Sequence, residues 1–199
     1  MKYDCKYVGE QAISVPWAEL KAIPLREVVT SGRPKLETLV RACWTAEALH
    51  IRFECEDDHT VATMSGHDEP LYLEDVVEVF LDLSGTGEVY YELEVSPRNV
   101  IFDAVVHNDL QGRITADTAW HAAGLQTSVK KETDSLLVYE LAVPFSSLGA
   151  APSHGTRWRW NVYRIDEDLQ GVRHYSAWSP TGAVQFHLPR YFGSLEFQR

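Results

Sequence analysis

The sequence has little of what marks several large classes of protein. It has three cysteines and no Cys-x-x-Cys spacing, which argues against a zinc site built from cysteines. It has 18 lysines and arginines against 29 acids, a formal net charge of −11. A nucleic acid or an anionic membrane is therefore not an expected partner, and a neutral ligand or a cation fits better. No apolar run approaches the length of a transmembrane helix.

The cysteines and the N-terminus leave two questions open. Cys43 and Cys55 lie on strands that we expect to pair, so either one disulfide or reduced, buried thiols fit the sequence. The first residues, MKYDCKYVGEQAIS, contain no apolar signal core. The chain is therefore either cytoplasmic or a mature or excised form of an exported protein. The oligomeric state stays open.

Apolar residues seldom recur with the spacing of a helix. In several segments they alternate with polar residues instead, which is the spacing of a strand. In LHIRFECE (49–56) apolar and polar residues alternate, which predicts a half-buried antiparallel strand paired with 40–44. The run VVEVFLDL (76–83) is apolar on both faces, so we expect a central strand. Further strands are predicted at 89–95, 101–106, 125–130, 136–143, 158–165, 174–178 and 194–197, with a helical turn in PFSSLG after 143.

Turns rich in Gly and Pro separate these strands, and no linker, repeat or compositional break interrupts them. This pattern is typical of a β-sandwich or a jelly roll. We therefore predict an all-β fold, an antiparallel sandwich that forms a single domain over residues 1–199.

Aromatic side chains crowd the last part of the chain, in a segment that prolines and glycine break. Rings on a loop with few charges suit a flat ligand that is polar at its rim and apolar on its faces, such as a sugar. Dispersion and C–H contacts to a ring cover the sugar's C–H face, and a charged acceptor then fixes its orientation. The rings and their neighbour are Trp178, Phe186, His187, Tyr191 and Phe192.

The ordered set of segments resembles a family 9 carbohydrate-binding module, within the wider group of DOMON-like sandwiches. The resemblance covers about residues 17–197. It is carried by Trp17 and by the segments CWTAEALHIRFECEDD, LYLEDVVEVFLD, YYELEVSP, YELAVPFSSL, RWNVYRID, AWSP and FHLPRYFGSLEF.

The resemblance implies a sugar held between two rings. One ring falls three residues before Asp75, at Tyr72, where well-known members carry Trp. The other falls six residues before the Phe of the final Phe-Gly, at Phe186. The acid that accepts sugar hydroxyls falls on Glu78. The position at which those members offer Arg is Glu94 here, which is a departure from the family pattern.

His187 and Arg164 are further candidate contacts for the sugar. Each candidate also has a purely structural interpretation. Tyr72 can be an ordinary ring at the end of a strand, Phe186 can close the core, and Glu78 can be a buried acid paired with Arg164. Core positions are expected for Trp44, Trp158 and Trp160, and Trp178 matches a family position that more often packs.

Structural calcium is a cofactor that the resemblance allows. The carboxylates nearest to such a site are Glu56, Asp57 and Asp58, followed by His59, together with the pair at 68–69. None of them matches a calcium-loop motif, so solvated loop charge is the alternative.

The function that we predict is non-catalytic binding of a mono- or oligosaccharide of the xylan or cellulose class, in support of carbohydrate catabolism. One alternative is a glycoside hydrolase that uses Glu78 with Glu94 or Asp75 as its carboxylate pair. Another is a DOMON-like module that binds haem or a protein. Its haem ligands would come from Met64, His59 and His67, in a polar segment that we expect to be a loop.

Overall fold

The computed structural model describes residues 1–10 and 15–199; residues 11–14, part of the N-terminal stretch inspected for a signal core, lie outside the description. Fourteen strands and one helical turn, α1 (Phe145–Leu148), make up the regular structure of the described ranges, with short 3₁₀ turns at Trp17–Glu19, Leu71–Leu73 and Pro189–Tyr191. The strands are β1 (Lys2–Tyr7), β2 (Ile23–Pro24), β3 (Arg26–Glu27), β4 (Thr38–Trp44), β5 (Ala48–Glu56), β6 (Val76–Asp82), β7 (Val89–Val95), β8 (Ile101–Asn108), β9 (Ile114–Asp117), β10 (Gln126–Thr133), β11 (Leu136–Pro144), β12 (Arg157–Glu167), β13 (Arg173–Ala177) and β14 (Gly193–Gln198).

The strands form a curled mixed sheet in the order β10-β11-β5-β4-β1-β14-β12-β6-β7-β8-β9, and β13 adds to β12. The predicted β-sandwich is confirmed. β1 is an exception to the antiparallel pattern, because it runs parallel to both β14 and β4. No helix among the described residues has both the length and the apolar character needed to span a membrane.

The main core lies between the two layers of the curled sheet. β6 contributes alternate residues to it, and the expected core tryptophans Trp44, Trp158 and Trp160 are all buried there. Trp178 belongs to the same core, and its ring packs against the backbone at Gly193. A Cβ at position 193 would lie 2.4 Å from that ring, so the close approach requires glycine.

A second apolar cluster covers the other face of the sheet. β6 supplies Val76 and Phe80 to it, while its neighbours Val77 and Val79 face the main core. β6 is therefore buried on both faces, as the apolar run predicts. The C-terminal loop before β14 closes this cluster with Phe186 and Phe192.

All three cysteines are free and buried. Cys43 pairs with His50 across the β4–β5 hairpin, whereas Cys55 pairs with Thr38 at its other end. The two thiols are thus separated along the hairpin and do not form the disulfide that the sequence leaves open. Burial raises the pKa of Cys43 to about 12 and that of Cys55 to about 11, so both stay protonated and unreactive near neutral pH.

Candidate functional site

A cavity of about 500 Å³ lies beside the second apolar cluster, on the face of the sheet away from the main core. The central strands form its floor, and its walls come from the turn before β6 and from the C-terminal loop. Its size lies within the usual range for small-ligand sites, about 300–1,000 Å³. The lining residues that matter below are Tyr72, Glu78, Glu92, Glu94, Arg173, Tyr175, Phe186 and His187.

The strand register brings three carboxyl groups together on the cavity floor. Glu78 of β6 pairs directly with Glu94 of β7. Glu92 lies two residues before Glu94 and therefore points to the same face. One carboxylate oxygen of each lies within 4.8 Å of the others, and all three side chains are buried.

Burial and mutual repulsion keep these carboxyls protonated. Burial raises the pKa of Glu92 to about 8. Burial also raises the pKa of Glu78 and of Glu94 well above the usual value, and the neighbouring acids add to both shifts. Protonated carboxyls can donate as well as accept hydrogen bonds. Oε1 of Glu78 and Oε2 of Glu94 are buried without a hydrogen-bond partner among the described residues.

Arg173 supplies the positive charge of the site; no other Arg or Lys is among the described residues that line the cavity. Its guanidinium donates a hydrogen bond to the carbonyl of Tyr72, which ties β13 to the turn before β6. The guanidinium carbon lies 5.3 Å from the ring centre of Tyr175. Nε of Arg173 is buried and has no hydrogen-bond partner in the described part of the chain.

The two predicted rings occupy different environments. Tyr72 is 49% exposed and stands at the cavity wall, where part of its side chain is accessible to a ligand. Phe186 is only 8% exposed and lies flat against Tyr163, with ring centres 4.1 Å apart and planes 12° apart. Tyr72 therefore offers a platform, while Phe186 offers mainly the side that Tyr163 does not cover.

His187 lies deep in the wall and is neutral. Its Nδ1 is 2.8 Å from the hydroxyl of Tyr90, and its Nε2 is 3.8 Å from Oε1 of Glu92. Burial lowers the pKa of His187 to about 4. At neutral pH the imidazole is therefore a hydrogen-bonding group without charge.

Five of the six residues predicted from the sequence line this cavity, and Arg164 does not. Arg164 pairs in register with Val77, which faces the main core, and not with Glu78. Its guanidinium donates to Asp166 at 2.5 Å and to the carbonyl of Glu56 at 2.6 Å. The suggested pairing of Glu78 with Arg164 is therefore wrong, because the two side chains lie on opposite faces of the sheet.

One carboxylate considered for calcium, Asp57, lies in a buried group with Asp75 and Asp166. Asp57 accepts hydrogen bonds from Thr60 and from Arg164, at 2.7 and 3.4 Å. Asp75 accepts the backbone N–H groups of Val61 and Glu167. The guanidinium of Arg164 already supplies positive charge to this group of acids. The acids at 57, 75 and 166 therefore do not fit a calcium cage.

Sequence reasoning missed Glu92, Arg173 and Tyr175. Glu92 shares a face with Glu94 by simple alternation, so the signal for it was present. Arg173 precedes the predicted strand at 174–178 by one residue; extending the strand would have placed Arg173 and Tyr175 on the same face.

The fold and the cavity together define a β-sandwich with a cavity of small-ligand size on one sheet face. The model of the carbohydrate family 9 binding domain-like family matches residues 11–199. The chain belongs to this family, as the resemblance in its segments predicts.

Individual relatives are distant in sequence but similar over their whole length. An extracellular protein of Arthroderma benhamiae is 22% identical over 207 residues, which cover 97% of this chain and 93% of that protein. A protein of Bacteroides uniformis, named as a candidate carbohydrate-binding protein, superposes with a TM-score of 0.77 at 18% identity and 99% coverage of both chains.

Two structures of a family 9 carbohydrate-binding module from Caldicellulosiruptor kristjanssonii also share the fold. The complex with cellotriose gives a TM-score of 0.73 at 16% identity, covering 100% of this chain and 94% of the other. The complex with glucose gives 0.71 at 16% identity, covering 100% and 97%.

Proposed function

We propose that this protein binds carbohydrate in the cavity through Tyr72, Glu78, Glu94 and Arg173. One observation carries the proposal. Oε1 of Glu78, Oε2 of Glu94 and Nε of Arg173 are buried without hydrogen-bond partners among the described residues, and all three side chains line one cavity. Buried polar groups in native proteins nearly always have a partner. A polyhydroxylated ligand supplies such partners to donors and acceptors alike.

The exposed ring gives the site its second element of sugar recognition. Tyr72 can lie against the C–H face of a pyranose while the carboxyls and Arg173 bind the hydroxyls at its rim. By analogy with base stacking on aromatic side chains, such a contact contributes about 1–3 kcal/mol. Phe186 and His187 extend the wall, and Glu92 extends the polar floor.

The proposed ligand class is an oligosaccharide of the cellulose or xylan type, recognised at its chain end, and the proposed role is support of carbohydrate catabolism. Family membership supports this class, as do the cellotriose and glucose held by structural relatives. The cavity lies between the C-terminal loop and the turn at Tyr72.

Binding without turnover is the better match to the carboxyl geometry. A glycosidase needs two carboxyl groups on either side of the glycosidic bond, about 5–9.5 Å apart, with at least one ionised. Here the three acids lie together on one floor of the cavity and not on two opposite walls. Burial raises the pKa of each of them, so none is held as an ionised nucleophile or base.

Isothermal titration with cello- and xylo-oligosaccharides tests the proposal. Each sugar is used with its natural end and with a chemically reduced end. We expect heat with at least one series, lost when the chain end is reduced. Heat that does not depend on the end would contradict end recognition, and no heat with any sugar would contradict carbohydrate binding.

Two variants and one control test whether the sugar binds in this cavity. Tyr72→Ala and Glu78→Ala should each weaken binding at least tenfold, since the first removes the exposed ring and the second removes a hydrogen-bonding group of the cavity floor. Tyr191→Ala removes another exposed ring, outside the cavity, and should leave the affinity unchanged. Sustained release of the chromophore from aryl glycosides, lost in Glu78→Gln, would establish hydrolysis instead of binding alone.

A further inference from the structure

We propose that His67, Asp68, Asp103 and His121 form a binding site for a transition-metal ion of the zinc class, separate from the sugar cavity. One donor atom from each of the four residues lies within 4.8 Å of the donor atoms of the others. Two imidazoles and two carboxylates are thus gathered at one point. The proposal does not depend on the proposed function.

Three separate parts of the chain build this cluster. His67 and Asp68 belong to the connection between β5 and β6, Asp103 lies in β8, and His121 lies between β9 and β10. Asp103 is flanked in β8 by Phe102 and Ala104, which face the second apolar cluster. Since successive residues of a strand point to opposite faces, Asp103 points away from the sugar cavity.

Asp103 is the fixed centre of the cluster. Its carboxyl is buried, and Oδ2 accepts the backbone N–H of Ala122 at 2.6 Å. This bond leaves Oδ1 directed at both imidazoles, 3.0 Å from Nε2 of His67 and 3.3 Å from Nδ1 of His121. Oδ1 of Asp68 lies 3.3 Å from the same Nε2 of His67.

These separations match the edges of a coordination tetrahedron. Zinc bonds to nitrogen and oxygen are about 2.0–2.1 Å long, which places neighbouring ligand atoms roughly 3.3–3.4 Å apart in tetrahedral geometry. The three donor pairs given above, at 3.0–3.3 Å, need only small shifts to reach these values, and all donor pairs lie within 4.8 Å. About half of each imidazole is exposed, so an ion has a path to the cluster.

The donor set selects the kind of metal. Imidazole suits zinc, copper, nickel and cobalt, whereas calcium takes oxygen ligands only. The cysteine spacing argues against a thiolate zinc site, but this cluster uses no thiol. A bound ion would cross-link the turn that precedes Tyr72 to β8 and to the β9–β10 connection.

The other two groups of acids in the described part of the chain do not compete for this role. Glu78, Glu92 and Glu94 belong to the cavity floor. Asp57, Asp75 and Asp166 contain no imidazole, and Arg164 is bonded to two of them.

Metal titration of the chelator-treated protein tests the proposal. We expect calorimetry to give one zinc ion per chain, calcium not to compete with it, and cobalt(II) to produce visible ligand-field absorption. His67→Ala and His121→Ala should each weaken zinc binding at least tenfold and remove the cobalt absorption. Both side chains are partly exposed, so we expect both variants to keep the circular dichroism spectrum of the parent.

His107→Ala is the matched control, because His107 is exposed on the same strand as Asp103 but is not a member of the cluster. It should bind zinc like the parent. Unchanged zinc affinity in the double variant of His67 and His121 would overturn the proposal, as would displacement of zinc by equimolar calcium. Absence of zinc binding in the parent protein would overturn it as well.

Discussion

Phe186 lies flat on Tyr163, with ring centres 4.1 Å apart. The hydroxyl of Tyr163 donates a hydrogen bond to the carbonyl of Phe186 at 3.0 Å, so the loop is held to β12 by both ring and backbone. Family resemblance treats Phe186 and Tyr72 as two halves of one clamp. The structure makes Phe186 a part of the second apolar cluster, while Tyr72 is half exposed.

The two rings should therefore respond differently to truncation. Phe186→Ala leaves a cavity under the C-terminal loop and should lower the free energy of unfolding by about 3 kcal/mol, the lower end for buried Phe. Tyr72→Ala should lower it by less than about 0.5 kcal/mol, as at other exposed positions. Urea unfolding followed by tryptophan fluorescence measures both values.

Sugar titration completes this comparison. Tyr72→Ala should weaken binding while the protein stays fully folded. Phe186→Leu, which keeps most of the apolar volume, should bind sugar with nearly the parent affinity. An equal loss of stability in the Tyr72 and Phe186 alanine variants would contradict the division of roles.

The buried acids of the cavity predict a pH dependence of stability. Burial raises the pKa of Glu92 from 4.5 to about 8. Between these values the folded state holds a proton that the unfolded chain has released. The free energy of unfolding therefore falls as the pH rises. Glu78 and Glu94, whose pKa values are also raised, act in the same direction.

The range from pH 6.5 to 8 isolates this effect. Burial lowers the pKa of His187 from 6.5 to about 4 and lowers that of His50, which gives an opposite slope that is largest below pH 6.5 and fades above it. Asp75, with its pKa raised to about 6, acts mainly below that pH. We expect a loss of stability on the order of 1 kcal/mol or more between pH 6.5 and 8.

A glutamine at position 92 should flatten this slope, since it mimics the protonated acid. The prediction is checked by comparing the urea midpoints of unfolding of the parent and of Glu92→Gln at about pH 6.5 and about pH 8. Glu88→Gln changes an exposed acid outside the cavity and should keep the parent slope. A parent whose stability rises over this range would show that the three acids are ionised in the folded state.

We expect Arg173 to contribute to sugar affinity through its charge and through its hydrogen bond to the Tyr72 carbonyl. Arg173→Ala removes the cation of the cavity and the hydrogen bond to the Tyr72 carbonyl. We expect sugar affinity to fall about tenfold or more, since hydrogen bonds to charged groups contribute about 1.5–3 kcal/mol. Arg157→Ala removes an exposed arginine of β12 outside the cavity and should not change the affinity, as calorimetry can check.

Alternation of residue types was sufficient to predict most of the sheet. The strand predicted at 89–95 matches β7, and the predicted helical turn is α1. β1 was missed although Tyr3 and Cys5 alternate with charged residues, because the segment was examined as a leader and not as a strand. β2, β3 and β9 were missed because runs of two to four residues are too short to show a period.

The cavity was predicted less completely, for a physical reason. Tyr72, Glu78 and Phe186, which the resemblance names, line the cavity. Alternation along 89–95 places Glu92 on the face of Glu94, but only the strand register shows that this pair lies beside Glu78. Arg173 reaches the cavity because β13 folds back along β12 as a hairpin, and the strand predicted at 174–178 begins one residue too late to include it.

Arg164 is a candidate sugar contact in the sequence, whereas the structure places its side chain in a buried ion-pair group. The last prediction follows from this difference. Removing it would leave Asp57 and Asp166 buried without their cation. Breaking a buried pair in this way costs about 3–5 kcal/mol, because the remaining charge is uncompensated. Arg164→Ala should therefore lower the free energy of unfolding by about that amount.

The same variant should bind sugar with parent affinity under conditions where it remains folded. Arg157→Ala again serves as the control: the Arg157 side chain is exposed, and surface ion pairs such as its pair with Glu196 contribute at most about 1 kcal/mol. Urea unfolding and calorimetry of the two variants separate the alternatives. A large loss of sugar affinity with little loss of stability in Arg164→Ala would return Arg164 to the binding site and contradict the arrangement described above.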